Sequence, residues 1–295
     1  MLGMSLHFTG NLSGARVELE AALQHGPGSQ RTSATYLGFH GHILVGAYLA
    51  RTLWLQGHSA HAVERACRTV KAATLTDHPI TQCIALVWAI LVFFGTGDIQ
   101  SVEEHLDWLI SIAESHSLGP YLSLGRGFKG QVAIHHGHAK GGVESLQSCL
   151  EELHAARYEI LSTALKISLA QALAAISQFA ESMTLIDETI RLVGANGDAC
   201  YMPELLRVKG GLLLSMAQPN REEAEKCFYQ SLELSRRQTA GAWELRTAID
   251  LAALLGGRGR ADRARGLLQP VFEQFVDGLD TSDQRAAEQL LATLS

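Results

Sequence analysis

One pattern recurs along the whole chain and limits what it can fold into. A glycine is followed by a small residue five positions later and by apolar or small residues nine and twelve later. Gly10 leads Ala15, Leu19 and Ala22; Gly57 leads Ala62, Ala66 and Thr69; Gly97 leads Val102, Leu106 and Leu109; Gly137 leads Gly142, Leu146 and Cys149. Ser177 stands in for the glycine ahead of Ser182, Ile186 and Thr189. Near 220 the glycine is missing but Ala224, Phe228 and Ser231 keep the spacing, and Gly259 opens the last copy with Ala264, Leu268 and Val271. The small anchors at 15, 62, 102, 142, 182, 224 and 264 are separated by 47, 40, 40, 40, 42 and 40 residues. A near-constant period of this size marks a repeat architecture in which each unit stacks on the next.

Each copy has the same internal grammar: an apolar-rich stretch, a short turn, then a stretch whose apolar residues fall at three- and four-residue spacing, as on an amphipathic helix. In "YLARTLWLQGHSAHAVERACRTV", Gly57 supplies the tight turn while Ala62 and Ala66 face back onto the first arm. Seven residues before the turns stand Ala50, Ile90, Gly130, Ala170 and Ala252; mostly small, they let the two arms approach closely while larger neighbours pack ridges into grooves. Strand signals are almost absent. A single helical hairpin cannot bury its apolar face, whereas stacked hairpins share a continuous core.

The spacing therefore predicts an all-α, right-handed superhelical solenoid of about seven hairpins, elongated, with a radius of gyration above the roughly 19 Å of a globule of this length. One repeat domain is expected over 1–295, with copies at about 1–30, 31–78, 79–119, 120–158, 159–198, 199–239 and 240–278. A capping helix is expected at about 282–294, from a Thr/Ser/Asp cluster followed by Ala286, Leu290, Leu291 and Leu294. Pro27, Pro79 and Pro120 fall between copies, and Pro270, inside the last hairpin, predicts a bend. Nine residues precede Gly10 where other copies have about fifteen, so the first hairpin is expected to be short and the chain to be a fragment, or to need a partner over that end.

Composition narrows the function. With 30 acidic against 24 basic residues and a net charge of -6, the surface is not built to neutralise phosphates, so direct nucleic-acid binding is not expected. The cluster Arg258, Arg260, Arg263 and Arg265 reads as a solvated helix start. Five scattered cysteines without C-x-x-C spacing fit reduced, mostly buried thiols in a cytoplasmic protein, with no metal or disulfide framework. The most apolar segment, "IALVWAILVFF" from Ile84 to Phe94, is too short for a bilayer needing about 20 apolar residues and reads as a buried helix, so no membrane partner is expected.

The spacing of Gly10, Ala15, Leu19, Ala22 and Pro27 is similar to the tetratricopeptide repeat, stretched to about 40 residues from the usual 34. The segments "YMPELLRVKGGLLL", "AEKCFYQSLELSRRQTAGAWELRTAIDLAALL" and "ARGLLQPVFEQFVDGLDTSDQRAAEQLL" resemble the C-terminal helical-repeat region of large bacterial multidomain ATPase regulators. That resemblance implies an upstream winged-helix, LuxR-type or adenylate-cyclase domain and a central ATPase, in the same or a partner chain, with the repeats acting as sensor or interaction arm. The closing segment is specific; the first three copies match only the general pattern.

Catalytic and nucleotide-binding signatures are not found in the sequence. "GRGFKGQ" at 125–131 lacks the spacing and hydroxyl of a phosphate-binding loop, no nucleophile elbow occurs, and His135, His136 and His138 span a turn and read as turn histidines. His40 and His42 are expected on different faces of one helix. No cofactor is expected, and the chain reads as a non-catalytic module binding a protein, a peptide or a small inducer in its concave groove; the alternative is a free-standing scaffold for a partner's peptide or helix. Groove candidates on the first arms are Arg51, Trp54, Gln131, Gln171, Glu204, Arg207 and Arg246. Two readings stay open for the charged ones: ligand contact, or an ion-pair ladder placing Glu204 near Arg246 or Arg207 near Glu244. Trp54 and Trp243 are read as core or as groove in the same way.

Overall fold

The glycine-led spacing resolves into pairs of helices. The computed structural model describes residues 1–24, 35, 36, 39–276 and 280–294; Pro27 and the expected boundary between the first two copies lie outside them. Seven hairpins follow in chain order: α1 (Leu2–Phe8) with α2 (Leu12–Gln24), α3 (Gly41–Leu55) with α4 (Ser59–Thr74), and α5 (Pro79–Thr96) with α6 (Ile99–Ser115). Then come α7 (Gly119–His135) with α8 (Ala139–Ala155), α9 (Ser162–Ala175) with α10 (Phe179–Asn196), α11 (Met202–Ser215) with α12 (Arg221–Gln238), and α13 (Gly241–Gly256) with α14 (Ala261–Phe272). A closing helix, α15 (Ser282–Thr293), completes the all-α solenoid. The only strand pairing among the described residues is a two-residue antiparallel ladder, Thr35 with His40 and Tyr36 with Phe39.

The anchors do what their spacing required. Ala15, Ala62, Val102, Ser182, Ala224 and Ala264 are fully buried, as are Ile90, Ala170 and Ala252 on the facing arms. Where both are glycine the approach is closest: a Cβ on Gly142 would lie 2.7 Å from the Gly130 carbonyl oxygen. Caps fix the arms locally. The Asp98 carboxylate accepts from the Ser101 N–H at the start of α6, Asn220 does the same for α12, and Thr281 and Gln284 form a reciprocal capping box on α15. The first arms α3 and α5 are apolar nearly all round because they lie between neighbouring hairpins. α5 is the extreme case: it runs 18 residues, longer than the stretch its apolar run suggested and apolar enough by length and composition to span a membrane, yet 78% of it is buried inside the fold. α14 continues through Pro270 and stops two residues later.

Two departures from expectation concern what a repeat period does not encode. The solenoid is not extended end to end, because its last two hairpins and α15 pack back against the first three. Gln238 lies against Gly10, Ser13 hydrogen-bonds Thr239 at 3.0 Å, Phe275 covers Gly57, and Ser282 sits on Gly97. The Gly241 backbone approaches the Gln56 carbonyl, and the Trp54 and Trp243 rings meet edge to face at 5.0 Å. The period fixes that hairpins stack; the angle between them, which sets curvature, depends on side-chain volumes at each contact. His40 is also not on a helix: it ends the short ladder in extended backbone as the residue before α3, so its ring turns to meet His42 and His78, each at 5.9 Å.

Candidate functional site

Closure leaves a lumen. Its cavity, about 540 Å³, is lined by the first arms of the second to seventh hairpins and by α15. The register is visible in the residue numbers: Arg51, Leu91, Gln131 and Gln171 recur every 40 residues and line it, as do Trp54, Phe94 and Ile134 one helical turn further on. On the last two hairpins the lining moves about two turns toward the helix start, to Glu204 and Arg246, which are themselves 42 apart. Ala164, Ile167 and Ser168 of α9, Tyr201 ahead of α11, Trp243 of α13 and Ser282 and Arg285 of α15 complete the wall with Gly95, Gly97, Ile99 and His135.

Six of the seven groove candidates, Arg51, Trp54, Gln131, Gln171, Glu204 and Arg246, are therefore brought together. Arg207 is not. Its guanidinium grips Glu204 with two bonds, at 2.7 and 2.8 Å, and reaches Asp250 at 2.6 Å, behind the lumen wall. The expected pair of Arg207 with Glu244 does not form, because Glu244 accepts from Arg236 at 2.6 Å. The other pair does form: Arg246 lies 3.6 Å from Glu204, and it also donates to Asp283 at 2.7 Å and to the Gly95 carbonyl at 3.2 Å. Arg246 thus ties the seventh hairpin to the sixth, to α15 and to the third. Burial would raise the Glu204 carboxyl, but Arg207 and Arg246 outweigh it and hold the group below the usual carboxylate range.

Arg51 differs from the other cations. It is 5% exposed, lies over Trp54 at 4.2 Å and near Trp243 at 5.8 Å, and donates Nη1–H to the Leu91 carbonyl at 3.1 Å. Its Nε is buried without a hydrogen-bond partner, and among the described residues it forms no ion pair with a carboxylate. Burial works against its charge and pushes its pKa down. Trp54 and Trp243 are both core and wall: each is nearly fully buried, and the Trp243 indole N–H donates to the Cys200 carbonyl at 3.0 Å. Gln131 donates to Ser168, whose own hydroxyl donates to the Ala164 carbonyl, and the Gln131 Oε1 is left buried without a partner.

The remaining candidates behave as solvated or structural groups. His136 bonds Glu103 at 2.9 Å at the α7–α8 turn, and no cluster of three metal-ligating side chains occurs among the described residues. Residues 125–131 lie inside α7, so no phosphate-binding loop forms there. Arg258 and Arg260 pair with Glu225, and four of the five cysteines are buried free thiols. Leu91, Phe94 and Ile134 could have been found by carrying the 40-residue register forward from Arg51 and Trp54. Tyr201 and Arg285 had no such signal, lying in a connecting turn and in the cap.

No protein-family model matches the sequence, and no curated protein does. Solved structures share the fold. Bacillus thuringiensis PlcR in complex with the peptide PapR7 and DNA superposes with a TM-score of 0.60 at 14% identity, covering 80% of this chain and 82% of that one. NprR in complex with its cognate peptide NprX gives 0.57 at 14% identity over 95% and 76% of the two chains. The apo form of RapI gives 0.57 at 10% identity over 97% and 96%. The chain has the architecture of the tetratricopeptide-like helical-repeat proteins.

Proposed function

We propose that this chain is a non-catalytic binding module whose lumen takes a short peptide or a small inducer, and that it serves as the cytoplasmic sensor or interaction arm of a bacterial regulator. The observation that carries this reading is the convergence of polar and aromatic side chains from successive first arms on one concave space of about 540 Å³, within the range of ligand sites. PlcR and NprR, which share the fold, are bound to peptides in their solved structures. The ATPase context rests on the resemblance of the last three copies to the repeat arms of such regulators, and the nucleotide-handling parts then belong to another domain or chain. A free-standing scaffold for a partner's peptide or helix is the second reading, supported by the same peptide-bound neighbours.

The test is affinity selection from a pool of short peptides and metabolite-sized compounds, read by native mass spectrometry and confirmed by titration. A one-to-one complex is expected, with no ATP bound in equilibrium dialysis. Gln171→Trp, which fills the lumen from an exposed wall position, should weaken the selected ligand at least tenfold while leaving the fold intact. A ligand indifferent to Gln171→Trp would place binding elsewhere and overturn the luminal reading.

A further inference from the structure

Arg246, Arg207 and Arg285 each have a carboxylate partner, in Asp283, Glu204 and Asp280. Among the described residues Arg51 is the arginine in the lumen wall without one, and its charge is buried against Trp54 with the Leu91 carbonyl, the Tyr201 side chain and the neighbouring indole rings to support it. A buried guanidinium without a carboxylate in contact is costly, and its Nε–H is a donor left over. The second orphan in the same wall has the opposite character. Ser168 donates to the Ala164 carbonyl and accepts from the Gln131 Nε2, which leaves the Gln131 Oε1 a buried acceptor without a partner. Apolar surface from Trp54, Phe94, Ile134 and Ile167 lines the same cavity.

Resting on the luminal reading above, we propose that Arg51 seats an anionic ligand group: a carboxylate adjoining an N–H and an apolar side chain, the chemistry of a peptide C terminus or an N-acylated amino acid. The carboxylate accepts from Arg51, the N–H donates to the Gln131 Oε1, and the side chain lies on the aromatic and aliphatic wall. The ligand supplies the ion-pair contact that Arg51 lacks among the described residues. A buried ion pair completed only on binding converts the cost of the lone charge into discrimination between charged and neutral ligands.

The experiment compares acids with their amides on the intact chain. Two arms are titrated by calorimetry: N-acetyl-phenylalanine and N-acetyl-leucine against their carboxamides, and an equimolar tetrapeptide pool with free C termini against the same pool amidated. The expected result is that acids bind in at least one arm and amides bind roughly tenfold or more weakly, as loss of a charged hydrogen bond predicts. The arm that binds distinguishes a free acylated amino acid from a peptide end. Arg51→Met, of similar length and without charge, should melt no lower than the wild-type chain and lose the preference for acids, while Arg51→Lys should keep part of it. Acids and amides bound equally well overturn the carboxylate assignment and leave the luminal reading standing. No binding in either arm overturns both. An Arg51→Met chain that melts far below wild type assigns Arg51 to structure and also overturns the proposal.

Discussion

A single residue can be required for two different reasons, and the turn positions separate them. Gly97 and Gly137 both adopt left-handed backbone, with φ of 82° and 85°. A side chain on Gly137 would meet open space, whereas one on Gly97 would press on the Ser282 Cβ at 2.7 Å. Ser177 takes the same role in the fifth hairpin at φ 65° and is exposed, so glycine is dispensable where only conformation is asked for. We expect Gly137→Ala to cost about 1 kcal/mol, the ordinary penalty of a left-handed L-residue, and Gly97→Ala to cost measurably more. Urea unfolding of the two variants checks this; equal losses would mean that the contact with α15 contributes nothing.

His7 supplies a second residue-scale expectation. It is buried beside Thr52, 2.9 Å away, and burial first, then Arg51, pushes it down from 6.5 to about 3. A group held neutral in the fold but free to protonate when unfolded contributes stability that is fully present above pH 6.5 and is lost as the pH falls toward 3. His42, lowered by burial and by His40, acts in the same direction. Stability should therefore decline as the pH falls below 6.5, and His7→Asn should flatten part of that decline in denaturant titrations. An unchanged slope would show that His7 does not carry it.

Among elements, α11 and α13 are joined by charge as well as by packing, and their two arginines have separable tasks. Arg207 closes an ion pair behind the wall with Glu204 and Asp250, while Arg246 stands in the lumen and bonds α15 and the Gly95 carbonyl. Removing Arg207 strands the buried Glu204 with a single, longer contact, so Arg207→Ala should lose on the order of 3 kcal/mol of stability yet bind ligand normally once folded. Arg246→Ala should lose both stability and about 1 to 3 kcal/mol of ligand affinity. Melting curves and titrations on the two proteins decide it, and normal binding by both would reduce Arg246 to a tie between repeats.

The elements were legible in the sequence for a physical reason: close helix pairs need small residues at fixed positions, and Ala15, Ala62, Ala224 and Ala264 report that need directly. Much of the lumen wall was legible for the same reason, since Gln131 and Gln171 follow Arg51 at the repeat period. The second set of turns was not. Ser117, Arg157 and Thr239 hold left-handed backbone at φ 54° to 55° without being glycine, so they leave no compositional trace. Arg207 was misplaced because counting along a helix gives a face but not which of two neighbouring carboxylates will take the guanidinium.

The molecule as a whole holds what no period could show. Arg246 reaches Gly95 across 151 positions of sequence and Ser13 reaches Thr239 across 226, contacts that close the superhelix on itself and create the lumen. The site exists only because the curvature brings the seventh hairpin to the second and third. Small-angle X-ray scattering in solution tests this most directly. Closure predicts a radius of gyration near 20 Å, close to that of a globule of this length, with a pair-distance distribution lacking a long tail; a radius well above that value with an extended tail would show an open solenoid and contradict the luminal site.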